Sequence, residues 1–294
     1  MPALLTGWEK EYGQEQETPF YLMKQPMKQK GKVFGFHRSM DTLGAVAGPV
    51  SALIYLYYFP QDYTTLFYIA FIPGVLAVLA TLYIKDKKRI PPKAKTSTPF
   101  FSFIKYWKSS PLQYRKVVTG LLAFSLFNSS DVFLLLKIQQ SGLSDTMAIG
   151  AYIFYNLVYA AFAFPAGIIA DKIGLKKMFV SGLFVFAIVY FGMSILPGIY
   201  AFIGLFFLYG IYAAATEGIS KAWISNITGK KDTATAIGTY SGFQSICTLI
   251  ASSMAGLIWY QFGANVTFLI TGTATVIIIV YFLFSVKFKE QTSV

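Results

Sequence analysis

Residues Gly35–Ala52 read GFHRSMDTLGAVAGPVSA, with glycines at Gly35, Gly44 and Gly48 and Pro49 directly after the last. Small residues let membrane helices approach closely, and a proline inside a span removes one backbone hydrogen bond and favours a bend. The stretch therefore predicts a kinked, closely packed helix. It opens the first of eight apolar blocks, at roughly 35–59, 64–84, 117–138, 146–170, 178–196, 199–222, 235–260 and 264–286. Each is close to the 20 or so residues that carry a helix across about 30 Å of hydrocarbon. Helices suit that task because every backbone N–H and C=O is satisfied within its own segment.

Of 294 residues, 55% are hydrophobic and only 13% charged, against about a quarter charged in soluble domains. The net charge of +12 is distributed unevenly. With the N-terminus in the cytoplasm, 24 of the 25 Lys and Arg residues fall on the cytoplasmic side, and Lys137 alone lies opposite. This asymmetry predicts eight crossings with both termini cytoplasmic. A basic face for nucleic acid would not alternate with apolar spans. The first 30 residues (GWEKEYGQEQETP among them) lack the charged start and apolar run of a signal peptide. Cys247 lies in an apolar block and reads as a packed side chain. The sequence shows no nucleotide-binding loop, metal cluster or nucleophile constellation, so neither an enzyme, a cofactor, a metal site nor ATP-driven transport is expected.

The longest loop, Lys85–Lys116, divides the spans two and six. Its KDKKRIPPKAKTSTP segment suits a solvated linker, and Phe100–Trp107 (FFSFIKYW) suits a short interfacial helix. A shift of 203 residues lays Gly35 over Gly238, and both segments turn from polar to apolar at that point. The first and seventh spans thus occupy equivalent places in an internal repeat. Residues before Gly238 end a membrane helix, whereas those before Gly35 cannot.

The Gly35–Ala52 run resembles the fifth-helix signature of exporters in the major facilitator superfamily: glycine, eight residues, glycine, three residues, glycine-proline. Ala52 stands where the pattern ends in glycine. Gly167–Lys177, GIIADKIGLKK, resembles the family's cytoplasmic loop motif G-x-L-A-D-R-x-G-R-K in its second-half copy, with Lys172 and Leu175 in place of arginines. The residues are readable on their own terms. Gly174 allows a tight reversal, and Lys172, Lys176 and Lys177 hold the loop in the cytoplasm. Asp171 is an anion placed where helix N-termini or cations could meet it.

The resemblance implies an all-α membrane protein, a facilitator-type bundle fragment of about eight transmembrane helices equivalent to the family's fifth through twelfth. Residues 1–30 would be an irregular segment from a misassigned or frameshifted start, and 31–84 the two-helix remnant of an N-terminal half. Residues 85–116 would be the cytoplasmic linker, and 117–290 a complete six-helix half. Four helices would then be missing in front, and a second chain would have to complement them.

Ionisable residues inside spans are costly and mark function or pairing. Asp131 lies deep in the third span behind Asn128, either to bind a proton or cationic substrate or to pair with Lys137. Glu217 and Lys221, four apart, suit a helix-surface pair or a gate element, with Glu217 also a candidate for substrate or proton binding. Arg38 and Asp41 suit a local pair, and His37 a hydrogen bond or a proton relay. His37 and Asp41 lack the spacing of an acyltransferase motif. Polar aromatic stripes run along the fourth span (Tyr152, Tyr155, Asn156, Tyr159), the sixth (Tyr209, Tyr212) and the seventh (Tyr240, Gln244). The fifth and eighth spans are uniformly apolar, as lipid-facing helices are. In the family, the equivalents of spans three, four, six and seven line the cavity of this half.

The resemblance implies a secondary active transporter of small molecules, proton-coupled and exporting amphiphilic compounds, in a bacterial inner membrane. The lipid bilayer, a small-molecule substrate and protons are its expected partners. Uptake of a metabolite by the same fold is the alternative, as is a membrane fragment that transports nothing.

Overall fold

Every described element is an α-helix, the form in which an apolar chain keeps its backbone hydrogen bonds to itself. The computed structural model describes residues 29–82, 102–229 and 232–286. The N-terminal segment and most of the linker expected from the sequence lie outside them. The helices are α1 (Lys30–Tyr58), α2 (Tyr63–Leu82), α3 (Ser102–Ser109), α4 (Leu112–Ser125) and α5 (Val132–Gln140). They continue with α6 (Asp145–Ile173), α7 (Leu175–Ile195), α8 (Ile199–Ile227) and α9 (Thr233–Ser285). Six of them, α1, α2, α6, α7, α8 and α9, are long and apolar enough to cross a membrane.

Two corrections reconcile these helices with eight blocks. The third block is not one helix: α4 ends at Ser125 and α5 begins at Val132. The seventh and eighth blocks are joined in α9, which reverses at Gly263, where φ 84° and ψ 170° are open to glycine and strained for other residues. Side-chain contacts prove the reversal. Tyr114 at the start of α4 donates to the Ala236 carbonyl at 2.8 Å, and Tyr281 donates to the neighbouring Lys116 carbonyl at 2.9 Å. At the other end of this pair, the Phe133 and Trp259 rings meet at 5.7 Å and Lys137 donates to Asn265 at 2.6 Å. Both arms of α9 therefore run the length of the α4–α5 pair in opposite directions.

The same logic orders α7. Lys176 at its start donates to the Val286 carbonyl at 2.7 Å, and Ser194 at its end donates to the Asn265 carbonyl at 3.1 Å. The reversal into α7 takes a single residue, Gly174, at φ 100°. At the opposite end Ser144 caps α6 by accepting from the Met147 amide, with Asp145 in the first turn. Lys30, Asp171, Lys176 and Val286 thus gather at one end of the bundle, which we call the basic end.

The aromatic core lies between α4, α7, α8 and the second arm of α9. Phe124, Phe186 and Tyr212 pack ring against ring in edge-to-face and tilted pairs, and Phe179, Trp223 and Phe282 do so one layer nearer the basic end. The expectation of a lipid-facing fifth span needs correction, because α7 buries Phe179, Leu183, Phe186 and Tyr190 on one side while Phe184 and Ile188 stay exposed. Uniform hydropathy conceals which face packs.

The 203-residue shift carries the start of α1 on to the start of α9 and the end of α2 on to its end. Gln61 (φ 64°) turns the first hairpin as Gly263 turns the second. Packing differs between the copies. In α1 only Lys30, Gly31, Phe34, Gly35, Ser39 and Thr42 are buried, all on a stripe against α6 and α8 within its first half, and α2 buries nothing.

Gly35 is packed as expected, since a Cβ there would stand 2.5 Å from the Ala163 carbonyl oxygen. Gly44 and Gly48 are not: neither would meet anything within 4 Å. Around Pro49, α1 continues without leaving helical geometry. The small-residue pattern is therefore a contact at its first glycine and open surface at the next two. Gly35→Ala is expected to destabilise the bundle by about 1–3 kcal/mol, the cost of overpacking against rigid backbone. Gly44→Ala should be neutral or stabilise by less than about 1 kcal/mol. Thermal melts of the two variants in detergent check this, and equal shifts would contradict it.

Candidate transport site

The gap between α4 and α5 has a chemical cause. Phe127-Asn128-Ser129-Ser130-Asp131 strings together four residues whose side chains compete with helical backbone bonds and favour caps. The helix stops there, and Asp131 takes the N-cap position of α5 without capping it. Its carboxylate turns to neighbouring helices instead. Oδ2 accepts from the Tyr155 hydroxyl of α6 at 2.6 Å, and Oδ1 accepts from the Tyr209 hydroxyl of α8 at 2.5 Å. Short O–H···O⁻ bonds of this kind are among the stronger hydrogen bonds. Asn128 Nδ2 donates to the Tyr212 hydroxyl at 3.1 Å, and the Ser130 amide donates to Ser252 Oγ in α9 at 3.2 Å. Three helices thus converge on the break.

Of the residues singled out in the sequence, Asp131, Asn128, Tyr155, Tyr209 and Tyr212 come together here. Tyr152 rests edge-on against Tyr155 at 5.6 Å. Asn156 is buried but turned back on its own helix, donating to the Tyr152 carbonyl at 2.9 Å. Tyr240 is buried beside Ser125 and Ser220, and Gln244 is half-buried on the same helix. The pairing of Asp131 with Lys137 is not found: Lys137 sits two turns along α5 and spends its donor on Asn265. Tyr190 completes the surroundings, fully buried and stacked on Phe186 at 4.0 Å. The sequence reading missed it because a single tyrosine in an aliphatic span carries no periodic signal.

A second polar cluster lies nearer the basic end. Arg38 of α1 donates through Nε to the Tyr159 hydroxyl of α6, through Nη1 to Asp41 at 2.9 Å, and through Nη2 to Glu217 of α8 at 3.2 Å. The local pair with Asp41 was expected. For Glu217, the expected Lys221 is replaced by Arg38, a partner 179 residues away that no spacing rule reaches. His37 faces outward on the exposed side of α1.

The loop motif closes the basic end. Asp171 accepts from the backbone amides of Gly31 at 2.8 Å and Lys32 at 2.7 Å, in the first turn of α1, where helix amides lack internal partners. The approach that makes this possible needs glycine on both sides. A Cβ on Gly31 would stand 2.6 Å from the Gly167 carbonyl oxygen, and one on Gly167 would stand 2.2 Å from that of Gly31. Ser39 further donates to the Ala160 carbonyl, and Lys30 Nζ donates to the Ser225 carbonyl at 2.7 Å. Leu175, in place of an arginine, is buried, Lys172 is exposed, and Lys177 is exposed at the start of α7.

A family model described as Major Facilitator Superfamily matches residues 25–156 and again 138–293. The chain is a member of the major facilitator superfamily. It is therefore a multi-pass integral membrane protein of a transporter family. An uncharacterized MFS-type transporter of Methanocaldococcus jannaschii is 31% identical over 248 residues, covering 82% of this chain and 61% of the relative. The multi-drug resistance efflux pump PmrA of Streptococcus pneumoniae is 31% identical over 125 residues, covering 42% of this chain and 31% of the pump. The crystal structure of the human organic anion transporter MFSD10 (TETRAN) matches with a TM-score of 0.69 at 11% identity, over 90% of this chain and 66% of that one. That likeness shows the fold. The chain spans about three fifths of the archaeal relative's length.

Hydrogen bonds to a charged group contribute about 1.5–3 kcal/mol. Asp171→Ala, which leaves two first-turn amides of α1 without their acceptor, is expected to lower the melting temperature by an amount in keeping with that loss. Lys172→Ala, at an exposed position, should leave it unchanged. Identical melts for the two variants would contradict the assignment.

Proposed function

We propose that the chain serves secondary active transport of small molecules, as the proton-bearing part of a facilitator exporter, with Asp131 as the proton-binding group. The observation that carries this is the carboxylate at a break in a membrane helix, held by Tyr155 and Tyr209 from two other helices. An ionised carboxylate only accepts, so both hydroxyls point at it. A protonated one has an O–H to donate, and one tyrosine must turn its own hydroxyl elsewhere. Proton uptake at Asp131 therefore rearranges the contact between α5, α6 and α8, which is what coupling requires. Alternating access would then arise from rocking of one half against the other around this mid-membrane site.

Several features support export of amphiphilic cargo. The surroundings of Asp131 are aromatic hydroxyls with few charges, suited to drug-like or lipid-like molecules. The efflux pump PmrA is among the relatives. The positive-inside charge pattern supports a cytoplasmic basic end with both termini on that side. In that orientation the buried stripe of α1, from Lys30 to Thr42, lies towards the cytoplasmic end. Tyr152, Asn156, Tyr159, Tyr240 and Gln244 are proposed as further cavity residues. Since α2 buries no side chain, its packing partners would be helices beyond those described, in the same polypeptide or in a complementing chain.

The test uses the complete transporter in proteoliposomes, with ethidium as a cationic amphiphilic probe and an imposed pH gradient. Wild-type protein should drive ethidium against its gradient. Asp131→Asn should insert normally and lose the gradient-driven component by a factor of ten or more. Unchanged gradient-driven flux in Asp131→Asn would overturn the assignment.

A further inference from the structure

The break between α4 and α5 carries more acceptors than its donors can serve. Along it the amides of residues 126–130 and 132–135 all donate within the protein, that of Ser130 to Ser252 Oγ and that of Val132 to Ser130 Oγ. The oxygens are not matched in the same way. Among the described residues, the carbonyls of Leu126, Asn128 and Ser129 accept no hydrogen bond. Asn128 Oδ1 is buried and accepts none either, although Nδ2 of the same side chain donates to Tyr212. Tyr190, only 1% exposed, reaches the place from α7: its hydroxyl lies beside Asp131, Ser129 and Tyr209 and forms no hydrogen bond. Buried polar atoms are costly to leave unpaired, and several in one place call for a common partner.

The chemistry of the set selects that partner. Asp131 supplies the one charge, because Lys137 is turned to Asn265 and the side chains bonded to the break are neutral. A charge inside a membrane bundle requires a counter-charge. A proton neutralises the carboxylate and satisfies none of the other oxygens. A water bridges oxygens and brings no charge. A metal cation does both. Each Asp131 oxygen accepts one tyrosine hydrogen bond and keeps a lone pair for an ion. Among the described residues no further carboxylate, histidine or cysteine joins Asp131 in a metal-holding group. A single carboxylate with neutral oxygens balances a monovalent ion, whereas a divalent one would leave net positive charge among aromatic rings. Interrupted membrane helices offer unwound carbonyls to such ions, and the carbonyl end of α4 adds partial negative charge.

We propose that the break between α4 and α5 binds a monovalent metal cation, held by the Asp131 carboxylate, Asn128 Oδ1 and carbonyls of the break, and closed over by the Tyr190 hydroxyl. The proposal rests on the reading of Asp131 as the coupling carboxylate and gives that carboxylate a second occupant. It carries either the proton or the ion.

The experiment is equilibrium binding of radioactive sodium to the full chain in detergent, with choline as background cation, at a pH of about 8, above the carboxylate range. Wild-type protein should show a single saturable site from which unlabelled sodium, and not choline, displaces the label. Sodium should also raise its melting temperature, as any ligand of the folded state does. Asp131→Asn should lose both effects. Asn128→Ala should weaken binding by about ten-fold or more, the scale on which metal sites register a lost partner. Tyr190→Phe, which removes an oxygen and keeps the ring, should weaken it by a smaller factor. Lys172→Ala, at an exposed position, should bind as wild type does. The proposal is overturned if wild-type protein shows no saturable binding. It is equally overturned if affinity is unchanged in both Asn128→Ala and Tyr190→Phe, or in Tyr190→Phe alone where Asn128→Ala does not fold. Gradient-driven ethidium flux separates this from the proton reading. Normal flux in Asp131→Asn removes the proton role and leaves a measured sodium site standing; flux that Asp131→Asn abolishes, without sodium binding by wild-type protein, does the reverse.

Discussion

The arrangement depends on one contact: the backbone of α1 lying directly on the backbone of α6 at Gly31, Gly35, Ala163 and Gly167. Apolar surface offers no drive for association between helices already in lipid, so close van der Waals contact and interhelical hydrogen bonds must supply it. Without side chains between them, the helices come near enough for Asp171 to reach two free amides of α1 and for Ser39 to reach the Ala160 carbonyl. That contact fixes the rotation of α1, and the rotation aims Arg38 at Tyr159 and Glu217. The loop motif is therefore a capping device for a helix remote in sequence. Its acidic residue does the work, and the substitution of Leu175 for arginine leaves that work untouched.

Much of this could be read from the residues alone because it is local. Apolar length gave the long helices, Gly174 the reversal, the 203-residue shift the matching bounds of α1–α2 and α9, and Asp171 its readiness for a helix N-terminus. The break at 126–131 escaped because hydropathy averages over about 20 residues and is blind to where backbone bonding stops. The run Asn128-Ser129-Ser130-Asp131 carried the signal as a cluster of cap-forming residues. Gly44 and Gly48 show the opposite error. They share a spacing with Gly35, but spacing cannot say which glycines have a neighbour. Partners across the bundle, such as Glu217 for Arg38 and Asn265 for Lys137, are fixed by tertiary packing and lie beyond any periodicity.

The two acidic sites occupy different mechanical positions. Asp131 stands where α5, α6 and α8 meet at a helix break, so a change in its hydrogen bonds acts within the six-helix half. Glu217 stands where α8 meets α1, paired with Arg38. Tyr155 and Tyr159 lie one turn apart on α6, and Tyr209, Tyr212 and Glu217 follow one another along α8. The same two helices thus carry both clusters.

The most direct test of the central claim, that Asp131 bears the proton, is infrared titration of the reconstituted protein. The carbonyl stretch of a protonated carboxylic acid is separate from that of a carboxylate and can be followed with pH. The account predicts a band that rises on acidification in wild-type protein and is absent in Asp131→Asn, with the remaining carboxyl bands unchanged. Identical pH-dependent bands in the two proteins would contradict it.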